Sequence, residues 1–148
     1  MEYLTTHDLV WINNVVTGAV NPFNYVPLEA AMASQYGYGD SRNVEGQAAN
    51  FLDHLLFTAP FASGNRRTAF IALLTFLNAN GYATKAGDQE AAQVVLSVAQ
   101  RQRTPQEAIA ALAAPAKEPL PPGITLRTLI THECNLHAEA LKILSEGD

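Results

Sequence analysis

One stretch of the sequence concentrates the residue types that could do chemistry: Ala59-Pro60-Phe61-Ala62-Ser63-Gly64-Asn65-Arg66-Arg67-Thr68-Ala69. A glycine-bearing loop leads there into an apolar run, Thr68 to Leu77, and two consecutive arginines stand at its start. The first N–H groups of a helix have no intrahelical partners, and the helix dipole favours negative charge at that end. Arg66 and Arg67 place cations where the dipole alone repels them. An anion at the same place makes the arrangement favourable, and a phosphate fits. The competing reading is two solvated arginines on an exposed first turn. From Phe57 to Ala83 these two are the only charged residues.

The elements that must position this loop read as helices. Thr5 with Asp8 forms a capping-box pattern before Leu9, Ile12 and Val16. Pro27 to Ala30 opens a short helix, with proline at the first helical position, where its fixed φ suits a helix start. Val44 to Phe57 predicts the next helix. Asn65 to Asn80 predicts another, closed by Gly81. Asp88 is expected to cap a helix over Gln89 to Gln102, and Thr104-Pro105-Gln106-Glu107 to cap one reaching about Ala114. Pro115 to Gly123 holds four prolines and predicts an extended, semi-rigid break. Thr125 to Leu144 reads as one amphipathic helix. Strand signals are absent. The expected fold is all-α: a compact six- to seven-helix domain around a central apolar helix, plus a C-terminal helix. In segments this is a domain over 1–114, a linker over 115–124, and a helix over 125–148 packed on the domain or a partner.

Composition bounds the function classes. The chain has 148 residues, with 9 Lys plus Arg against 14 Asp plus Glu, for a net charge of −5. Charged residues make up 16%, against roughly 25% in an average globular chain. The apolar share of 48% includes 24 alanines, which favour helix. The acidic balance argues against a general nucleic-acid binder. The single cysteine, Cys134, excludes an intramolecular disulfide framework and a cysteine-rich zinc module. Met1-Glu2-Tyr3-Leu4 has neither the basic start nor the apolar run of a secretory signal, and no apolar stretch is long enough for a bilayer. A cytoplasmic protein without membrane partners is expected.

The loop segment resembles the signature of the Fic/Doc proteins, His-x-Phe-x-(Asp/Glu)-Gly-Asn-(Gly/Lys)-Arg. Phe61, Gly64, Asn65 and Arg67 match at the right spacing. The apolar segment Gln47 to Thr58 before the loop agrees, as do Thr68-Ala69-Phe70 and Asn80-Gly81-Tyr82 after it. Tyr3-Leu4-Thr5, Asp8-Leu9 and the caps at Asp88 and Thr104 extend the resemblance from about Tyr3 to Leu112. Longer Fic signatures carry a second arginine where this chain has Phe70, so Arg66-Arg67-Thr68-Ala69 is closer to the Doc form.

The resemblance implies a Doc-like toxin of a toxin–antitoxin pair. Such a protein transfers a phosphate or nucleotidyl group from ATP or another nucleotide, with Mg²⁺, to a protein hydroxyl. Its implied partners are a protein substrate, a translation factor among the candidates, and an antitoxin; a homo-oligomer is a further candidate. The implied catalytic positions are Ala59, Asn65 and Arg67. The implied phosphate-binding residues are Phe61, Ser63, Gly64, Asn65, Arg66 and Arg67. Tyr36, Gly37 and Tyr38 fall on the flap that docks the target by strand addition.

Two positions depart from the pattern. Ala59 stands where the family has the histidine that activates the target hydroxyl, and alanine has no proton-accepting group. Ser63 stands where the family has a Mg²⁺-holding carboxylate, and a hydroxyl is a weaker ligand for a hard dication. The loss at Ala59 is either a natural one, giving a pseudoenzyme that binds a nucleotide or partner, or a substitution that silences a toxic protein.

Other candidates weigh less. His54 lies five residues before Ala59, which turns it about 140° away on a helix, and a buried or groove-lining histidine is expected. His132, Glu133 and His137 invite a zinc reading, but zincin histidines are four apart and these are five. Cys134 reads as a half-buried helix residue. Ser41-Arg42-Asn43-Val44-Glu45-Gly46 matches the short inhibitory pattern of Fic proteins, a pattern brief enough to arise by coincidence. The last helix, with Leu126, Ile130, Leu141 and Leu144, is expected to pack on the domain's own surface. A dimer face and an antitoxin contact are the alternatives, and a helical interaction module is the third class of function they allow.

Overall fold

The computed structural model of the protein describes residues 1–37 and 43–148. Among the described residues the helices are α1 (Thr6–Thr17), α2 (Tyr25–Ala33), α3 (Val44–Thr58), α4 (Asn65–Ala79), α5 (Asp88–Ala99), α6 (Pro105–Leu112), α7 (Leu126–Leu136) and α8 (Ala138–Ser145). The architecture is mostly α, as the sequence predicts.

Helix α4 is the axis of the fold. Ten consecutive residues, Thr68 to Leu77, are buried, as a helix apolar on every face must be. Helices α1, α3 and α7 pack around it, and α8 touches it as well. Phe51, Phe70 and Phe76 are the largest side chains in this core, and Phe51 meets Phe76 edge-on at 5.9 Å. At the far end of α4, the Asn80 side chain ties down the start of the chain. The Glu2 N–H donates to Asn80 Oδ1 at 2.8 Å, and Asn80 Nδ2 donates to Glu2 O at 2.9 Å.

The capping boxes at Thr5–Asp8 and Thr104–Glu107 form as expected, each with reciprocal side-chain and backbone hydrogen bonds. Three features differ from the sequence reading. A two-stranded antiparallel sheet joins β1 (Tyr82–Thr84) to β2 (Ala113–Pro115), with Ala83 opposite Ala114. Each strand has three residues, too few for alternation to register.

Asp88 does not cap its own helix. Gly87 occupies the N-cap position and makes no side-chain bond. The Asp88 carboxylate instead reaches the C-terminal helices. Oδ1 lies 2.7 Å from His137 Nδ1, and Oδ2 accepts from the Ala140 N–H at 3.0 Å.

The expected single helix over 125–144 is two helices that break at His137 (φ −111°, ψ 35°). The break lets α7 lay Leu129 and Ile130 inward and α8 lay Ala140 and Leu144 inward, with α7 against α4 and α8 against α5. Ile130, Ala140 and Leu144 belong to the same apolar core as α4, so these helices pack on the rest of the chain. No helix among the described residues is long and apolar enough to cross a membrane.

Candidate anion site

The loop between α3 and α4 is built from its glycine outward. Gly64 is the N-cap of α4 and has φ 82°, a left-handed conformation that glycine adopts without steric cost. A Cβ on Gly64 would sit 2.3 Å from Thr17 Cγ2 and 3.0 Å from Asn13 Nδ2, so the crossing of α1 also requires glycine there. Asn13 clamps the loop. It is fully buried, its Nδ2 donates to Ser63 O at 2.8 Å and to Thr68 Oγ1 at 3.1 Å, and its Oδ1 accepts from Asn21 Nδ2 at 3.0 Å.

Asn65 folds back on the loop. Its Oδ1 accepts from the Phe61 N–H at 2.9 Å and its Nδ2 donates to Phe61 O at 2.7 Å. In this arrangement the Asn65 amide positions the loop. Phe61 is buried, its ring 6.0 Å from Phe23, and its backbone forms a bridge with Phe23. The flanking hydrogen bonds, Asn24 N–H to Pro60 O and Ala62 N–H to Pro22 O, are both 2.9 Å. Phe61 therefore serves as an anchor, with its ring inside the protein.

The first turn of α4 holds an anion, and that anion belongs to the chain itself. The Asp148 carboxylate accepts from the Arg66 N–H at 2.9 Å through Oδ1. Through Oδ2 it accepts from the Arg67 N–H at 3.2 Å and from Arg67 Nε at 3.0 Å. Ser63 Oγ donates to a main-chain oxygen of Asp148 at 3.3 Å. The ion pair is sheltered, with side chains 14% and 4% exposed for Arg67 and Asp148. A second guanidinium nitrogen, Arg67 Nη1, donates to Val16 O at 3.1 Å, which aims the Arg67 fork. The N–H groups of Arg66 and Arg67 and the Arg67 guanidinium thus converge on one carboxylate, an arrangement that suits helix-end anion binding.

Ala59 is the C-cap of α3 at φ 42°, ψ 62°, and it is exposed. Left-handed geometry at a residue with a Cβ is uncommon, and histidine, asparagine and aspartate are the types enriched there. His54 is on the exposed face of α3, with Nδ1 2.9 Å from Asn50 O, rather than buried or lining a groove.

The residues expected on a flap divide. Tyr36 stacks edge-on against Tyr3 at 4.8 Å and reaches Met32 Sδ with its hydroxyl at 3.0 Å, and a Cβ on Gly37 would strike the Gln47 side chain. These contacts join the chain start to α2 and α3. Tyr38 lies outside the described residues, as do Ser41 and Arg42 of the short inhibitory pattern. Of that pattern's described residues, Asn43 caps α3 through the Gly46 N–H at 3.0 Å, and Glu45 accepts from Tyr82 Oη at 3.0 Å. The Glu45 carboxylate is thus engaged at β1.

The C-terminal histidines are not paired with one another. His132 is exposed. His137 is buried between Asp88 and Glu133, with Nε2 3.1 Å from Glu133 Oε2, and Asn78 Nδ2 bonds the other Glu133 oxygen. The Glu133 carboxylate, followed by Asp88, raises the His137 pKa above its ordinary value, against the opposing pull of burial. Cys134 is half-buried, and burial with Glu133 beside it pushes the thiol up to about 11. Among the described residues no cluster of His, Cys, Asp and Glu is arranged to hold a metal ion.

Sequence reasoning missed Asp148 and Asn13. Asp148 is separated from Arg67 by 81 residues, and no local pattern marks such a contact. Asn13 sits on α1 among apolar residues, where a buried amide is the only signal. No family model, curated protein or solved structure matches the chain.

Proposed function

We propose that the loop Ala59–Arg67 is the phosphate site of a Doc-like protein-modifying transferase whose general base is absent. The observation that carries this reading is the convergence of two helix-end N–H groups and the Arg67 guanidinium on one carboxylate. A phosphate offers oxygens of the same charge and acceptor character. In a phosphoryl or nucleotidyl transfer, the hydroxyl oxygen of the target attacks phosphorus while the nucleotide's remaining portion leaves. Such chemistry depends mainly on positioning and charge stabilisation, and in this reading those are the roles of Gly64, Arg66 and Arg67. Asn65 contributes by fixing Phe61 and so the loop.

The step this chain lacks is removal of the target's proton, because Ala59 offers no acceptor. Loss of a general base costs about 10²–10⁴-fold. The implied Mg²⁺ does not fit the residues present. Ser63 offers a hydroxyl that already donates to Asp148, and the loop has no carboxylate of its own, so no step is derived through that ion.

A second reading has Ala59 itself in its favour: a protein that binds a nucleotide or partner at the same loop without catalysis. One experiment separates the two. Ala59→His is expected to restore transfer of labelled phosphate or AMP from nucleotide to bacterial proteins, and to arrest growth. Absence of both in a folded variant refutes the transferase reading. Nucleotide binding that persists in that variant then selects the second reading.

A further inference from the structure

We propose that Asp148 is a tethered competitor for the anion at the Ser63–Arg67 loop, so that the site is closed in the packed state and opens when the segment after α8 lets go. The inference rests on reading the loop as an anion site and adds how access to it is regulated.

Three observations on the chain support it. The Asp148 carboxylate uses the donors an incoming phosphate would need: the N–H groups of Arg66 and Arg67, and Arg67 Nε. With the side chain 4% exposed, no second anion can share those donors without moving it. The tether is short and anchored, because α8 ends at Ser145 and Leu144 is fully buried in the core. Only Glu146 and Gly147 lie between the helix and the carboxylate, and Gly147 has φ 74°. A left-handed glycine turns the chain back toward α4.

A ligand held on so short a link acts at an effective concentration in about the millimolar range. A free anion must therefore outcompete it. If the open form is about a tenth of the population, the apparent affinity for a free anion falls about tenfold.

The hydrogen bonds to the loop are made by Asp148, after the end of α8. The anchors of α8 itself, buried Ala140 and Leu144 and the Asp88 bond to the Ala140 N–H, do not involve Asp148. Release of the carboxylate can therefore leave α8 in place.

The test is calorimetric titration of inorganic pyrophosphate into the full chain, into Asp148→Ala and into Asp148→Asn. Asp148→Ala is expected to bind about tenfold more tightly than the parent. Asp148→Asn keeps the size and one acceptor oxygen but loses the charge. It is expected to fall between them, and it carries the test if the alanine variant fails to fold. In the parent, pyrophosphate is expected to shift the Gly147 and Asp148 amide resonances toward free-chain positions. Arg67→Ala is expected to abolish binding in each background. Equal affinity for parent and Asp148 variants overturns the competitor role while leaving the anion site standing. No binding of pyrophosphate by any of them overturns the anion site itself, and with it the transferase reading.

Discussion

Gly64→Ala tests how firmly the loop is held, and its cost can be worked from the contacts. An alanine at φ 82° carries a backbone penalty of about 1–2 kcal/mol for left-handed geometry. The added Cβ then meets Thr17 Cγ2 at 2.3 Å. Thr17 cannot simply rotate away. Its hydroxyl donates to Asn13 O at 2.7 Å and accepts from Asn21 Nδ2 at 2.8 Å. Overpacking of this kind costs about 1–3 kcal/mol, so Gly64→Ala is expected to lose about 2–5 kcal/mol in all. Thr17→Ser removes the clashing methyl and keeps the hydroxyl, at a cost of up to about 0.8 kcal/mol for the lost carbon. The double variant should recover the steric part and keep the backbone part. The coupling between the two positions is then about 1–3 kcal/mol. Urea unfolding of the four proteins measures it, provided the slope with denaturant stays constant. A Gly64→Ala loss below about 0.5 kcal/mol, or a Thr17→Ser change that gives no relief, refutes the argument that α1 clamps the loop.

Two further outcomes follow from the same geometry. Ala59→Gly relieves left-handed strain of about 1–2 kcal/mol at the end of α3 against an unfolded-chain entropy cost of about 0.4–1 kcal/mol, so a net stabilisation of up to about 1.5 kcal/mol is expected, read as a higher urea midpoint; a lower midpoint refutes it. His137 has a folded pKa raised by Glu133 and Asp88. Its stabilising contribution is complete below the unfolded value of about 6.5 and is lost as the pH climbs through the raised folded value. The urea midpoint of the parent should therefore fall as the pH rises above about 6.5, and His137→Asn should flatten that fall; an unchanged slope in the variant refutes the assignment.

The sequence made the local devices of the fold legible. Thr5–Asp8 and Thr104–Glu107 satisfy each other within four residues, and the apolar run after Arg67 has one place to go, the centre. What it left unread is non-local. Asp88 has the residue type and position of a helix cap, yet its oxygens serve His137 and Ala140 about fifty residues away. The break between α7 and α8 carries neither glycine nor proline, and burial of two apolar faces on different neighbours sets it. The anion cradle was readable from Gly64, Arg66 and Arg67. The carboxylate that fills it was not, because nothing near Asp148 in sequence announces the partner. Asn65 was legible as the start of α4, but its bonds to Phe61 emerge only once the loop has closed.

Helix α4 also acts as a ruler. Its C-terminal end is tied through Asn80 to Glu2, and its N-terminal end is tied through Arg66 and Arg67 to Asp148. Fifteen residues at 1.5 Å each make a rod of about 22 Å. Residues 2 and 148, far apart along the chain, are therefore held at opposite ends of one rigid element. Dyes attached at Glu2, which bonds Asn80 through its main chain, and at the exposed Glu146 beside Asp148 would read a fixed gauge length in the packed state, and a spread of longer and shorter lengths once the hold at Arg67 is released.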